Sequence, residues 1–164
     1  MANNAMKTGL LIIDMQNGFS TSKDKETRQN VILQVKRAIK KNLPIFLVEF
    51  TPKQYGKTSR YITRVIGNYD NVHYIEKHTD DGGREVMDYL FDHNIDIKHF
   101  IACGVNISYC VAETVHRLIR HYNKKVLIIK KACNCEWDNE DAFNGYHGNI
   151  CTREVYEDKL VTLV

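Results

Sequence analysis

The chain has 164 residues, of which 43 % are hydrophobic and 26 % are charged, which fits one globular domain and excludes a disordered or low-complexity protein. Its formal charge of +3 comes from 23 basic and 20 acidic residues spread along the chain, which argues against a nucleic-acid-binding protein. Because the apolar runs are strand-sized and the amino terminus lacks a signal-like stretch, we predict one cytoplasmic domain over residues 1–164, with neither a membrane nor a nucleic-acid partner.

Six short runs rich in β-branched and aliphatic residues predict six strands. They are nearly continuous apolar runs, as is typical of strands that are covered on both faces. In chain order, the predicted strands cover 9–14, 44–50, 71–76, 98–104, 125–130 and 159–164.

Helical patterns lie between these strands, with apolar residues recurring every three to four positions. In chain order, the predicted helices cover 31–39, 60–66, 84–92, 114–122 and 151–159. The rest of 51–70 and the stretch 133–149 are predicted to be irregular. Alternation of strand and helix predicts an α/β fold, a doubly wound, six-stranded, mainly parallel sheet with helices on both faces.

Reactive side chains follow three of the predicted strands. Asp14 comes after "LLII", and Lys77 comes after "HYIE". Cys110 comes six residues beyond Gly104, at the start of the apolar helical pattern that continues through 114–122. In doubly wound sheets the working site lies beyond the carboxyl ends of the strands. We therefore expect these three side chains at one edge of the sheet.

A thiol, a carboxylate and an ammonium group in one cleft suit covalent hydrolysis. We expect the amino terminus of a helix and the charge of Lys77 to lower the pKa of the Cys110 thiol, and Asp14 to exchange protons with it. Each residue also has an ordinary structural explanation: a buried inert cysteine, a turn aspartate and a solvated lysine. Their coincidence at three strand ends favours catalysis.

Three motifs carry a resemblance to a known family. The segments "LLIIDMQNGF", "YIEKHTDD" and "IACGVNISYCVAET" contain Asp14, Lys77 and Cys110 in turn. In order, spacing and strand context they resemble the isochorismatase-like cysteine hydrolases, the superfamily of nicotinamidases and N-carbamoylsarcosine amidases. The resemblance implies a Rossmann-like three-layer sandwich, a catalytic triad of these residues, and a Phe19 side chain that faces the substrate.

The same resemblance implies a function. By this resemblance, the chain is expected to be a cysteine amidohydrolase that cleaves a C–N bond of a small amide or carbamoyl compound through a thioester. The enzyme is expected to need no cofactor and to form a homo-oligomer. The resemblance also implies a cis peptide bond between Val105 and Asn106, which directs the backbone N–H groups of Asn106 and Cys110 at the oxyanion.

Departures from the family pattern affect the metal and the substrate pocket. Metal-dependent nicotinamidases carry an aspartate and histidines after the second strand, where this chain reads "EFTPKQYGKTSRY" with Glu49 alone, so we expect no metal. We expect His73 and His78 to be structural or to line the pocket. Arg84 could anchor a substrate carboxylate and Trp137 could cover the pocket, although a surface arginine and a packing tryptophan are as common.

Two other functions remain open at this point. One is a non-hydrolytic domain that uses the scaffold for binding or assembly. The other is a thiol redox protein that uses Cys110 with Cys133 or Cys135. Because five cysteines are an odd number in a reducing compartment, we expect free thiols at Cys103, Cys110, Cys133, Cys135 and Cys151.

Overall fold

Six parallel strands form one sheet in the computed structural model, which describes residues 7–136 and 149–151. The strand order is β3-β2-β1-β4-β5-β6, and every neighbouring pair is parallel. The strands are β1 (Thr8–Ile13), β2 (Ile45–Phe50), β3 (Val72–Lys77), β4 (His99–Val105), β5 (Lys125–Asn134) and β6 (Asn149–Cys151). The predicted parallel α/β sheet is confirmed.

The first five strands lie where the apolar runs predict them, and the carboxyl-terminal part differs. β5 continues to Asn134, four residues beyond its predicted end at 130. The sixth strand, β6, falls at the end of a stretch predicted to be irregular, because three residues are too short for a periodic signal. Residue 151, the first of the predicted helix over 151–159, belongs to β6, and the rest of that helix and the predicted strand over 159–164 lie outside the described residues.

Five α-helices connect the strands within residues 7–136. They are α1 (Lys25–Lys40), α2 (Pro52–Tyr55), α3 (Arg60–Ile66), α4 (Gly83–Asp92) and α5 (Ala112–Tyr122). α1 begins earlier than its apolar stripe because Asp24 caps it, accepting a hydrogen bond from the Thr27 N–H at 2.8 Å. None of the described helices has the length and hydropathy needed to cross a membrane.

The helices lie in two layers. α1 packs against α3 and against β1, β4 and β5, whereas α4 and α5 pack against each other and against β3 and β5 respectively. The chain runs from β1 to β3 in one direction across the sheet, and α4 then carries it back in the opposite direction to β4. Because such crossovers are right-handed, this reversal places α4 and α5 on the other face of the sheet. The sandwiched β1 is buried along its whole length.

The strand order reverses between β1 and β4, the central pair. β1 leads to β2 on one side, and β4 leads to β5 on the other. Gly104 lies in β4 with φ of 128°, and a Cβ atom there would come within 2.0 Å of the Ile13 carbonyl oxygen. Glycine therefore lets the two strand ends approach closely at the point where such sheets bind ligands.

Candidate active site

Asp14 is the first residue after β1 and lies at this switch point. Its backbone has φ of 53°, in the left-handed region, and its N–H donates to the Val48 carbonyl oxygen at 2.9 Å. The side chain is 1 % exposed. A buried carboxylate needs a compensating partner, because the loss of water disfavours its charge.

Lys77 is that partner. It ends β3, which β2 separates from β1, so its side chain spans a gap of about 10 Å between strands. Its Nζ lies 3.0 Å from Asp14 Oδ2 and 4.6 Å from the centre of the Phe50 ring. The same ammonium donates to the carbonyl oxygens of Thr79 at 3.0 Å and Asp80 at 3.2 Å. The ammonium group of the fully buried Lys77 is thus fixed by a carboxylate, two carbonyl oxygens and an aromatic ring.

Cys110 lies in a single π-helical turn, Ile107–Val111, between β4 and α5. The sequence predicts it at the start of the α-helix, which instead begins two residues later at Ala112. The thiol is 7 % exposed and donates to Asp80 Oδ1 at 3.5 Å. The structure therefore brings the thiol into one buried cluster with the Asp14–Lys77 pair, whose charges both act on it.

The prediction that the Cys110 thiol has a lowered pKa is wrong for this arrangement. Burial, and then the negative charge of Asp14, raise the pKa of Cys110 to about 12, and Lys77 offsets only part of this. Burial also raises the pKa of Asp14, against the opposing charge of Lys77. The resting sulfur is consequently a thiol, and its proton has to leave as the sulfur attacks.

The turn before Cys110 contains the cis peptide bond that the resemblance implies, between Val105 and Asn106. Asn106 is the residue before the π-helical turn, and its carbonyl oxygen accepts from the Val111 N–H at 3.1 Å. The Thr21 hydroxyl donates to Asn106 Oδ1 at 2.9 Å. Sequence reasoning missed Thr21, which lies 85 residues away and carries no local signal.

Asp80 is a second site residue that sequence reasoning missed. It lies in the polar segment that follows Lys77. The fully buried Thr114 ties this turn to α5, accepting from the Gly82 N–H at 2.9 Å and donating to the Asp80 carbonyl oxygen at 3.5 Å. A carboxylate three residues after the lysine that ends a predicted strand is the signal that could have found it.

A family model described as the isochorismatase domain matches residues 8–141, most of the chain. The chain belongs to the isochorismatase family. No curated protein matches it in sequence. The family match supports a hydrolase of the isochorismatase-like superfamily.

Three solved structures of the fold show how the family's architecture recurs. MAR1 ribonuclease from Caenorhabditis elegans has a TM-score of 0.78 and 19 % identity, over 91 % of this chain and 78 % of that one. Nicotinamidase PncA from Bacillus subtilis has a TM-score of 0.73 and 14 % identity, over 89 % and 99 %. N-carbamoylsarcosine amidase from Thermoplasma acidophilum has a TM-score of 0.71 and 17 % identity, over 93 % and 99 %. At these identities the likeness shows the fold alone.

An aromatic cluster adjoins this isochorismatase-family site. Phe19, half-buried, stacks on Tyr55 with ring centres 4.9 Å apart and meets Phe50 edge-on at 6.3 Å. Because Phe50 also contacts the Lys77 ammonium, the cluster connects Phe19 to the Asp14–Lys77 pair. That Phe19 faces the substrate stays a prediction.

The other two pocket residues predicted from the sequence differ. Arg84 lies exposed on α4 and pairs with Asp88 at 3.5 Å, so the structure does not bring it to the cluster. An i, i+4 pair on the outer side of a helix is the common outcome for such an arginine. Trp137 lies outside the described residues.

The residues after β2 do not fit the metal site of the metal-dependent nicotinamidases. Glu49 is buried, and its Oε1 accepts from both the N–H and the hydroxyl of Thr58, at 2.7 Å and 2.8 Å. Within 7–136, no three histidine, cysteine or acidic side chains are grouped to hold a metal ion. Glu49 therefore anchors the loop before α3.

The two histidines near Lys77 in the sequence differ in their position and contacts. His73 lies near the start of β3, at the other end of the strand, and its ring nitrogens contact Tyr89 Oη and Asn71 Oδ1, each at 3.1 Å. Its role is structural. His78 is exposed and lies 3.6 Å from Glu76, with its Nδ1 3.4 Å from a threonine hydroxyl.

Four cysteines have described side chains, and all are free thiols. Cys103 and Cys133 are fully enclosed, and burial raises the pKa of Cys103 well above its usual value and that of Cys133 to about 12. Cys135 is buried as well. Cys110 lies close enough to the Asp14–Lys77 pair for both charges to act on its pKa.

Proposed function

We propose that the chain is a metal-independent cysteine amidohydrolase, which cleaves a C–N bond of a small amide or carbamoyl compound through a thioester intermediate. The buried ion pair of Asp14 and Lys77, 3.0 Å long and adjoining Cys110 at the switch point of the sheet, is the observation that carries the proposal. Nucleophile, proton acceptor and counter-ion are the three parts that acyl transfer requires.

The first step is attack by the Cys110 sulfur on the substrate carbonyl carbon. Because the resting thiol has a pKa of about 12, the S–H proton passes to Asp14 while the S–C bond forms. The raised pKa of Asp14 makes it a stronger base than an ordinary aspartate. Lys77 balances its charge before the transfer and limits how far that pKa rises.

The developing oxyanion needs donors near the turn after β4. The N–H groups of Asn106 and Cys110 are our candidates, each worth about 3 kcal/mol in the transition state. The hydrogen bond from Thr21 to Asn106 Oδ1 holds that residue in place. In this proposal, Thr21 positions a donor and does not touch the substrate.

The second half of the cycle returns the proton. Protonated Asp14 gives its proton to the departing nitrogen as the C–N bond breaks, leaving a thioester on Cys110. Asp14 then takes a proton from water, whose oxygen attacks the thioester carbon. The carboxylic acid leaves, and the proton returns to the Cys110 sulfur. Atoms and charge balance without a further reactant.

A panel of small amides, carbamoyl compounds and ureides, assayed for ammonia release, tests this reaction. Wild-type protein should release ammonia from at least one compound, and Cys110→Ala should release none. Cys103→Ala is the matched control, because Cys103 is a buried thiol in β4 that donates to the Leu11 carbonyl oxygen at 3.8 Å. Equal hydrolysis by the wild-type and Cys110→Ala proteins would contradict the proposal.

We also propose that the protein forms a homo-oligomer, as the family resemblance implies. Large apolar side chains are exposed on its surface, with Phe91 of α4 at 84 %. Buried contacts between copies would remove such surface from water. Multi-angle light scattering gives the mass directly, and a monomer at micromolar concentration would contradict this part of the proposal.

A further inference from the structure

Asp80 places a second carboxylate against the nucleophile. Its Oδ1 accepts from the Cys110 Sγ at 3.5 Å, while its side chain remains exposed to solvent. Its main chain is fixed from two sides, by Lys77 Nζ at 3.2 Å and by the Thr114 hydroxyl at 3.5 Å. The carboxylate is therefore held at the mouth of the site, between solvent and the sulfur.

The cations beside Asp80 already form ion pairs with other carboxylates. Lys77 is matched by Asp14 at 3.0 Å, which makes that buried pair neutral overall. Arg117, from α5, is matched by the neighbouring Asp81 at 2.6 Å. Among the residues that the structure describes, Asp80 forms no ion pair. The site thus carries one surplus negative charge within contact distance of the reacting sulfur.

The aromatic cluster adds to this preference. Phe19, Phe50 and Tyr55 are half-buried, and Phe50 already contacts one cation, the Lys77 ammonium. The faces of aromatic rings attract cations. An aromatic wall together with an uncompensated carboxylate is a common way to bind an ammonium or guanidinium group.

We propose that Asp80 makes the site select small amides with a positive charge next to the reacting carbonyl group, and reject those with a carboxylate. This inference rests on the proposed amidohydrolase function, since it names the substrate class of that same site. A positive group a few bonds from the carbonyl carbon would meet Asp80 when Cys110 attacks. A carboxylate at the same place would meet repulsion, and within residues 7–136 the two cations beside Asp80 are already paired.

Three thiol reagents of different charge test the inference without knowledge of the substrate. They are methanethiosulfonates with a trimethylammonium-ethyl, a methyl and a sulfonato-ethyl group, and each rate at Cys110 is read from its peptide by mass spectrometry. Rates are divided by those measured with 2-mercaptoethanol, which removes intrinsic reactivity. In wild-type protein, the cationic reagent should exceed the anionic one by at least tenfold, and added salt should reduce the ratio.

Variants assign this preference to Asp80. Asp80→Asn should lower the cation-to-anion ratio about tenfold, Asp80→Glu should retain most of it, and the surface control Asp88→Asn should leave it unchanged. Circular dichroism checks that each variant is folded. A wild-type ratio equal to that of the free thiol, a ratio unaffected in Asp80→Asn, or no reaction with any reagent would overturn the inference.

Hydrolysis of matched amides separates this inference from the proposed reaction. Glycinamide, propionamide and malonamate carry a positive, a neutral and a negative group. A labelling preference that depends on Asp80, without hydrolysis of any amide in either panel, would support the charge preference of the site and contradict the amidohydrolase reaction. Hydrolysis in which the anionic amide equals the cationic one would overturn the charge preference alone.

Discussion

Replacing Lys77 by methionine should destabilise the protein strongly at neutral pH. The substitution keeps the length of the side chain and removes its charge, so that Asp14 is left buried without a counter-ion. At 3.0 Å and an effective dielectric constant of about 20, the lost attraction is about 5 kcal/mol. Buried pairs that lose one partner typically cost about 3–5 kcal/mol, and we expect a loss in this range.

The loss should depend on pH in a defined direction. The folded-state pKa of Asp14 already lies above its unfolded value, so the folded protein holds this proton more tightly and stability falls as pH rises through that window. Without Lys77 the folded-state pKa rises further and the window widens. The deficit of Lys77→Met relative to the wild type should therefore shrink as the pH is lowered and Asp14 becomes protonated.

Urea denaturation followed by circular dichroism, at several pH values, measures both effects. Lys36→Met, at an exposed position on α1, is the control and should change the free energy of unfolding by less than about 0.5 kcal/mol. In the double variant with Asp14→Asn, the losses should be less than additive. A neutral-pH loss below about 1 kcal/mol, or a deficit independent of pH, would refute a buried ion pair.

Four further predictions concern catalysis and folding. Cys110→Ala should abolish ammonia release in the amide assay while lowering the free energy of unfolding, measured in urea, by only about 1 kcal/mol. In a pH–rate profile, kcat/KM should fall with falling pH as Asp14 is protonated, and this should happen at a pH above the ordinary aspartate range. Asp80→Asn should move this acidic limb to lower pH, because a negative charge that raises the pKa of Asp14 is gone. Gly104→Ala places a Cβ atom 2.0 Å from a β1 carbonyl oxygen and should lower the free energy of unfolding, measured by thermal unfolding, by about 4 kcal/mol or more. Gly56→Ala, in open space but with φ of 76° and ψ of 176°, should lower it by only about 1–3 kcal/mol. Prolonged dialysis against a chelator should leave hydrolysis unchanged, and a loss restored by zinc would contradict metal independence.

Local patterns were sufficient to predict most of the sheet. The runs that became β1, β2, β4 and β5 are largely apolar and buried, as a parallel sheet covered by two helix layers requires, whereas the edge strand β3 is only partly buried. Asp14 and Lys77 could be found because a polar residue directly after such a run has to lie at the carboxyl edge. β6 was not predictable, since its three residues carry no periodicity.

The electrostatics of the site could not be predicted in the same way. A helix amino terminus and the charge of Lys77 suggested a lowered pKa for Cys110, yet this pKa depends on how much water the neighbours of the thiol exclude, which only the packed structure shows. The contact between Asp80 and Cys110 joins residues 30 positions apart. In the sequence, the turn that contains Asp80 has the composition of an ordinary polar turn, so only the folded structure shows this contact.

Acid quenching followed by mass spectrometry tests the central claim most directly. With an amide that the wild-type protein hydrolyses, the reaction stopped during turnover should contain a protein species heavier by the acyl group, with the added mass on the Cys110 peptide. The adduct should be absent from Cys110→Ala together with product formation. Turnover that continues in Cys110→Ala, or an acyl group on any other residue, would contradict a thioester mechanism at this sulfur.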